Sequence, residues 1–409
     1  MQELSATKPT AGILPQRRRL SILLGAAFLM ATSAIGPGFL TQTVVFTEQL
    51  GASFGFAILV SVLFDLAAQL NVWRVIAVSG RRAQDLANDM VPGLGHALAV
   101  LVAIGGLAFN VGNVAGCGLG LNAALGLSVA AGSLLSAGLA VILFVSREAG
   151  RAMDRFAQLL GAFMIVLAIY VAIASRPPLG EAVLRTIAPA RLDALSIVTI
   201  VGGTVGGYIT FAGAHRLLDA GITGTNAIRE VTRSAISGIG IASVMRVVLF
   251  LAAFGVVSRG GTLAPENPPA SVFRIATGEI GYVMFGAVMW AAAITSVVGS
   301  SYTSISFLRS LGPAANRNWQ RLVIVFIALS TAIFLLVGRP VKVLIIVGAL
   351  NGLILPISLG VILAASRSPR LVGVYRHPRW LVASGVIVVT AMLALGLWTM
   401  LTQVPKLFA

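Results

Sequence analysis

The chain has 409 residues, of which 57% are hydrophobic and 10% are charged, and its formal net charge is +16. A soluble globular domain has about 25% charged residues, so the composition excludes that class and predicts an integral membrane protein. The apolar runs show no alternation of apolar and polar positions, which excludes a transmembrane β-barrel. We therefore predict an all-α integral membrane protein.

Eleven apolar stretches, each long enough for one helical crossing, follow one another along the chain. They are residues 20–50, 53–79, 94–120, 127–145, 156–174, 196–217, 234–257, 280–308, 321–337, 341–365 and 380–402. Glycines interrupt the first and the sixth, which occupy corresponding positions in two five-helix halves. The predicted organisation is a cytoplasmic tail (1–19), a first repeat (20–174), an extracellular loop (175–195), a second repeat (196–365), and a cytoplasmic loop with an eleventh helix (366–409).

Basic residues gather in short loops on alternate sides of the predicted helices, and the intervening loops contain fewer of them. The clusters include Arg17, Arg18 and Arg19; Arg81 and Arg82; Arg229 and Arg233; Arg309, Arg317 and Arg321; and Arg367, Arg370, Arg376 and Arg379. The positive-inside rule places the N-terminus in the cytoplasm and, after eleven crossings, the C-terminus outside the cell or in the periplasm. This distribution predicts the inner (plasma) membrane and a lipid-bilayer partner, and it argues against nucleic acid.

The sequence contains no catalytic triad, phosphate-binding loop or cluster of metal ligands. The single cysteine, Cys117, lies in the third apolar stretch and excludes an intrachain disulfide bond. We therefore expect neither enzymatic activity nor a cofactor.

The two glycine-rich interruptions lie about 166 residues apart. The first is Gly36-Pro37-Gly38, and the second extends from Gly202 to Gly207. Unwound backbone at membrane depth is tolerated only where it is buried in protein or lines a cavity, and paired breaks of this kind mark the substrate site of many secondary transporters. A kink or close helix packing is the alternative explanation. We predict a binding site near the middle of the bilayer, built from two discontinuous helices.

Candidate substrate-binding residues flank the breaks or supply polar groups at a similar depth. They are Gly36, Gly38, Phe39, Thr41, Gln42, Asn110, Asn113, Gly203, Gly206, Gly207, Tyr208 and Ser300. The alternative for the polar members is a hydrogen bond within or between helices. Asp65 and Arg246 are charges inside apolar stretches, where each costs about 2.5–3.5 kcal/mol on insertion scales. They serve either in ion coupling or substrate binding, or as a structural pair.

Several motifs, in their order along the chain, resemble the Nramp family of the LeuT-fold (APC) superfamily. Gly202–Tyr208 is similar to the family's sixth-helix Gly-Ala-Thr-Val-Met-Pro-His, Gly299–Thr303 to its eighth-helix Gln-Ser-Ser-Thr-x-Thr, and Asn110–Gly116 to its third-helix Asp-x-x-Glu-Val-x-Gly. The resemblance implies two inverted repeats, helices 1–5 and 6–10, with helices 1 and 6 broken. It further implies a secondary transporter in which helices 1 and 6 move against a scaffold of helices 3, 4, 8 and 9.

The chain departs from this family at the positions that bind metal. Metal-transporting members carry an aspartate, an asparagine and a methionine at the positions aligned with Gly36, Phe39 and Gly206. The third-helix acids that the family uses in proton movement are replaced by Asn110 and Asn113. The resemblance, read with these departures, implies that the protein has no high-affinity manganese or iron site.

The favoured substrate is a small organic carboxylate or amino-acid-like molecule, because the free backbone amides at the breaks suit an anionic group. The example of 5-oxoproline comes from the resemblance. The alternative is a divalent metal cation, manganese or iron or a hydrated magnesium ion, at an atypical Nramp site. A channel is disfavoured because the broken-repeat pattern is typical of a carrier, and a sensor because no large output domain is present. Protons and sodium are the candidate coupling ions, and we expect a monomer.

Overall fold

The computed structural model describes residue 23 and residues 35–402, and every long regular element in that part of the chain is an α-helix. The helices are α1 (Pro37–Leu50), α2 (Phe54–Ser79), α3 (Ala83–Met90), α4 (Leu94–Leu125), α5 (Val129–Val145), α6 (Arg147–Ala174), α7 (Leu179–Ile187), α8 (Ala194–Val205), α9 (Ile209–Asp219), α10 (Ile228–Val257), α11 (Pro268–Leu308), α12 (Pro313–Arg317), α13 (Trp319–Val337), α14 (Pro340–Ala365), α15 (Pro369–Val372) and α16 (Arg379–Thr402). The predicted tail and most of the first half of the first apolar stretch lie outside the described residues.

Within the described ranges, eight spans are long and apolar enough to cross a membrane. A ninth results if Leu159–Ala174 and Leu179–Ile187, which meet at 107°, count as one bent span. The predicted all-helical membrane architecture is confirmed, but the count of eleven is not. Only a short 3₁₀ turn separates α1 from α2, so Pro37–Ser79 counts as one span, and α5 has only 17 residues.

The predicted break in the sixth apolar stretch is present. Helix α8 ends at Val205 and α9 begins at Ile209, which leaves three residues between them outside the helices. Gly206 is extended, with φ −78° and ψ 162°, and Gly207 has a φ of 56°, which side chains rarely tolerate. In the first stretch, α1 begins at Pro37 after an extended Gly36, and most of the half-helix predicted to precede this break lies outside the described residues. Proline suits that first helical position because its missing N–H would have no partner there.

Glycines allow other helices to approach both breaks closely. A Cβ atom on Gly116 of α4 would overlap the ring of Pro37. A Cβ atom on Gly202 of α8 would overlap the backbone of Gly348 and Gly352 in α14. Small residues at membrane helix interfaces permit this backbone-to-backbone contact. The fold therefore packs α4 against the first break and α14 against the half-helix that leads into the second.

Candidate functional site

Gln42 of α1 links the first broken region to α8 and α14. Its Nε2 donates a 2.7 Å hydrogen bond to the backbone carbonyl of Leu344 in α14. A Cβ atom built on Gly203 of α8 would lie 2.7 Å from Gln42 Oε1, and one on Gly38 would lie 3.4 Å from Gln42 Nε2. The structure therefore brings together three of the predicted residues: Gly38, Gln42 and Gly203.

Asn351 of α14 lies at the second break, and the sequence analysis missed it. Its Nδ2 donates to the backbone carbonyls of Gly105 at 3.2 Å and of Val347 at 2.9 Å. A Cβ atom on Gly207 would overlap Asn351 Oδ1, and one on Gly206 would lie 2.6 Å from the Asn351 backbone oxygen. The Asn351 amide therefore packs directly against the unwound backbone.

Gln42 and Asn351 both leave their amide oxygens free. Each amide nitrogen faces a backbone carbonyl, which only accepts, so the orientation of each amide follows from its partners. Gln42 Oε1 and Asn351 Oδ1 are buried and have no hydrogen-bond partner among residues 35–402. The same holds for the hydroxyl oxygens of Thr41, Thr43 and Thr199. Leaving such an oxygen unsatisfied costs about 1–3 kcal/mol, which favours a ligand that supplies positive charge or hydrogen-bond donors.

Arg246 of α10 lies in a buried cluster between α1, α2 and α8. Its Nη1 donates to Ser61 Oγ at 3.0 Å, and its Nη2 donates to Thr204 Oγ1 at 2.5 Å. Nη1 also lies 3.9 Å from Asp65 Oδ2, and the guanidinium carbon lies 4.6 Å from the centre of the Phe39 ring. The structure therefore brings both predicted charges together with Phe39 and with Thr204, which lies two residues before Gly206 at the second break.

The predicted residues Asn110, Asn113 and Ser300 share a buried network between α4, α11 and α13. Asn110 Nδ2 donates to Ser301 Oγ at 3.0 Å and to Ser330 Oγ at 2.8 Å. Ser300 Oγ donates to Asn110 Oδ1 at 2.9 Å, and Asn113 Nδ2 donates to Ser300 Oγ at 3.4 Å. Both ends of the Asn110 amide have protein partners, so this network holds three helices together. A substrate role for its members stays a prediction.

Gly36 is the first predicted residue of the first break, and Tyr208 is the last predicted residue of the second break. The Tyr208 ring contacts Phe109 of α4 edge to face, with 5.6 Å between the ring centres. The backbone carbonyl of Gly36 accepts a 3.2 Å hydrogen bond from the amide of Leu40. Tyr208 therefore anchors the second break to α4, while Gly36 begins the first helical turn of α1.

In the part of the chain that the structure describes, no group of three or more His, Cys, Asp or Glu residues lies close enough together to hold a metal ion. Most of the oxygens that a cation at the breaks could use are therefore neutral. They are the side-chain amide oxygens of Gln42 and Asn351 and the hydroxyls of Thr41, Thr43 and Thr199.

Comparison with known proteins identifies the family. The family model described as natural resistance-associated macrophage protein-like (Nramp) matches residues 27–402. The chain belongs to the Nramp family. It is 55% identical to the uncharacterized membrane protein YcsG of Bacillus subtilis, over 95% of this chain and 96% of the relative. It is 22% identical to the divalent metal cation transporter MntH of Vibrio campbellii, over 94% of this chain and 93% of the relative.

Solved structures of transporters share the fold. A mutant of the Eremococcus coleocola manganese transporter superposes with a TM-score of 0.73 at 14% identity, over 98% of this chain and 91% of that chain. MhsT in complex with L-phenylalanine superposes with a TM-score of 0.63 at 17% identity, over 92% of this chain and 97% of that chain. The predicted family and LeuT-type fold are confirmed. The protein is a multi-pass membrane transporter and not an enzyme.

Proposed function

We propose that this Nramp transporter is a secondary active carrier that moves a hard divalent cation by alternating access. The observation that carries the proposal is the pair of buried, unpartnered oxygens, Gln42 Oε1 and Asn351 Oδ1, beside the two broken helices. An amide oxygen only accepts hydrogen bonds, so these two oxygens suit a cation and repel a carboxylate. The relatives support the same choice, since MntH is a divalent metal cation transporter and the solved neighbour is a manganese transporter. Site and family together favour the metal alternative over the organic carboxylate.

The ligand types favour magnesium over manganese or iron. In the resemblance to metal-transporting members, Gly206 stands at the position of their methionine, so this position offers no sulfur ligand. Oxygen ligands suit hard cations, and magnesium gives up its water reluctantly and keeps several water molecules when bound. A partly hydrated ion needs few direct protein ligands. Without a carboxylate ligand, we expect calorimetry to show manganese binding weaker than micromolar.

Alternating access draws support from the buried amide network. The hydrogen bonds of Asn110 and Ser300 join α4, α11 and α13, which correspond to three of the four scaffold helices that the Nramp resemblance implies. At the second break, the backbone of Gly206 and Gly207 packs against Asn351 of α14, which is not one of those scaffold helices. Glycine backbone packed against a neighbouring helix is able to slide without breaking side-chain hydrogen bonds.

Arg246 supports a second candidate substrate, a small carboxylate such as 5-oxoproline. Its Nε is buried without a partner among residues 35–402, and its guanidinium contacts both Phe39 and Thr204. A guanidinium binds a carboxylate through two parallel hydrogen bonds. Asp65 lies 3.9 Å away and competes for the same group, which is why the cation is the first proposal.

Uptake into proteoliposomes tests the two candidates directly. We expect magnesium to enter vesicles that contain the purified protein faster than it enters protein-free vesicles. Labelled 5-oxoproline should not enter either kind of vesicle. Imposed proton and sodium gradients then identify the coupling ion, because only the coupled gradient accelerates uptake. Uptake of 5-oxoproline without magnesium uptake would refute the cation proposal.

Asn351→Asp tests the sign of the substrate charge. A carboxylate beside Gly207 attracts a cation and repels a carboxylate substrate, so we expect the KM for magnesium to fall by about tenfold. Asn122→Asp makes the same chemical change at the end of α4, where the Asn122 amide bonds the Leu127 carbonyl, and should leave KM unchanged. A higher magnesium KM in a well-folded Asn351→Asp protein would contradict the proposal.

A further inference from the structure

A cavity of about 1040 Å³ lies between the segment that follows α14 and the first turns of α16. None of its lining residues belongs to α1, α8 or α9, so it is separate from the candidate substrate site. Three arginines line it: Arg367, Arg376 and Arg379. No carboxylate is among the lining residues, and the chain has no Asp or Glu after Glu279. The cavity is therefore positively charged.

The cavity's positive charge comes from its arginines and not from His377. The imidazole Nε2 lies 2.8 Å from Asn71 Oδ1, and Nδ1 lies 3.1 Å from the Tyr375 hydroxyl. Burial, together with the positive charge of Arg74, lowers the pKa of His377 to about 4. The ring is neutral at pH 7, and its two hydrogen bonds hold the cavity wall against α2.

The other wall of the cavity is one apolar face of α16. Val382, Ala383, Val386 and Ile387 line it, at the three- and four-residue spacing that puts them on the same helix face as Arg379. Val386 and Ile387 are 48% and 62% exposed. The helix rises about 12 Å between residues 379 and 387. Because α16 is a membrane span, the cavity extends from a charged end into the apolar layer.

We propose that this cavity binds an anionic phospholipid, with its phosphate beside the arginines and an acyl chain along α16. A free phosphate would use only the charged end and would leave the apolar wall uncovered. Basic pockets between helices on the cytoplasmic side bind acidic lipid head groups, and the positive-inside rule predicts that side for the loop 366–378. Charge and apolar length together favour a lipid over a soluble anion.

Native mass spectrometry of the purified protein with phosphatidylglycerol or phosphatidylcholine tests the proposal. The double variant Arg376→Gln/Arg379→Gln removes two cavity arginines. Arg317→Gln/Arg370→Gln removes two exposed arginines that do not line the cavity, and is the matched control. We expect phosphatidylglycerol retention to fall by about fivefold for each cavity arginine removed, and to stay unchanged in the control. Equal retention by the wild type and the cavity variant would overturn the proposal.

A second variant separates the lipid from a soluble anion. Ala383→Trp fills the apolar wall without changing the charge, so we expect it to reduce phosphatidylglycerol retention. Inorganic phosphate at millimolar concentration should not displace the lipid. Displacement by phosphate, together with unchanged retention in Ala383→Trp, would show a phosphate site and overturn the lipid assignment.

Discussion

Asp65 and Arg246 are 1% and 2% exposed and carry opposite charges beside the broken helices. Removing two ions from water costs several kcal/mol each, and their attraction offsets that cost only with good geometry and additional hydrogen bonds. Here the closest N–O distance is 3.9 Å, and Asp65 Oδ1 and Arg246 Nε have no partner in the described part of the chain. The pair therefore compensates only part of its burial cost, and an isolated member would be a buried charge with no opposite charge beside it.

We therefore expect Asp65 and Arg246 to be energetically coupled. Asp65→Asn or Arg246→Gln alone should each lower stability by about 3–5 kcal/mol, because the remaining charge stays buried without its partner. The double variant should be less destabilised than the sum of the two single variants. Unfolding in detergent, followed by fluorescence, measures the stability of the wild type, the two single variants and the double variant.

An exposed pair provides the control for this cycle. Arg274 and Glu279 form an ion pair with side chains that are 57% and 64% exposed. Screened pairs of this kind contribute about 0–1 kcal/mol. The corresponding neutral substitutions at Arg274 and Glu279 should change the free energy of unfolding little. Strict additivity of the substitutions at Asp65 and Arg246 would show that these two charges do not interact.

Single residues at the site differ in how far the sequence could reveal them. Gln42 was predicted because it follows the Gly-Pro-Gly break within one helical turn. Asn351 was missed because it is a lone amide in a 26-residue apolar helix, where a polar residue most often bonds its own helix. Its flanking glycines, Gly348 and Gly352, were the available signal. Only the packing of α14 on α8 shows that they bring Asn351 to the break.

At the scale of helices, the sequence predicted where the chain breaks but not which glycines break it. The run from Gly202 to Gly207 looked like one unwound segment, yet α8 continues to Val205. Gly202 remains helical because it contacts the backbone of α14, whereas Gly207 has a positive φ. A packing glycine and a breaking glycine are identical in the sequence, so only the tertiary contacts separate the two roles.

Gly202→Ala tests the packing role. The added methyl group would overlap the backbone of α14, which cannot move aside as a flexible side chain can, so we expect a loss of about 1–3 kcal/mol in stability. Gly360→Ala in α14 is the control, because its Cβ atom would meet nothing within 4 Å. That variant should gain up to about 1 kcal/mol from helix propensity. A stable Gly202→Ala protein would contradict the close contact between α8 and α14.

At the scale of the whole molecule, fold and site have diverged separately. The chain keeps the fold of a manganese transporter at 14% identity, while the sequence resemblance predicts that Gly36, Phe39 and Gly206 stand where the family's metal-binding side chains would be. Apolar stretches and matched breaks fix the fold, and many sequences satisfy them. Substrate binding depends on a few side chains. Family membership therefore identifies the class of transporter, whereas the substrate depends on the residues of the site.

The arginines predict the orientation of the molecule in the membrane, and introduced cysteines can measure it. The native Cys117 is 0% exposed, so the wild type should remain unlabelled by a membrane-impermeant maleimide. Arg317 lies in a basic loop that the positive-inside rule assigns to the cytoplasm, and Glu266 lies on the other side of the span Pro268–Leu311. We expect Glu266→Cys to react in intact cells and Arg317→Cys only after permeabilisation. The reverse result would show that the molecule has the opposite orientation. Reaction of both cysteine variants in intact cells would show that α11 does not cross the membrane.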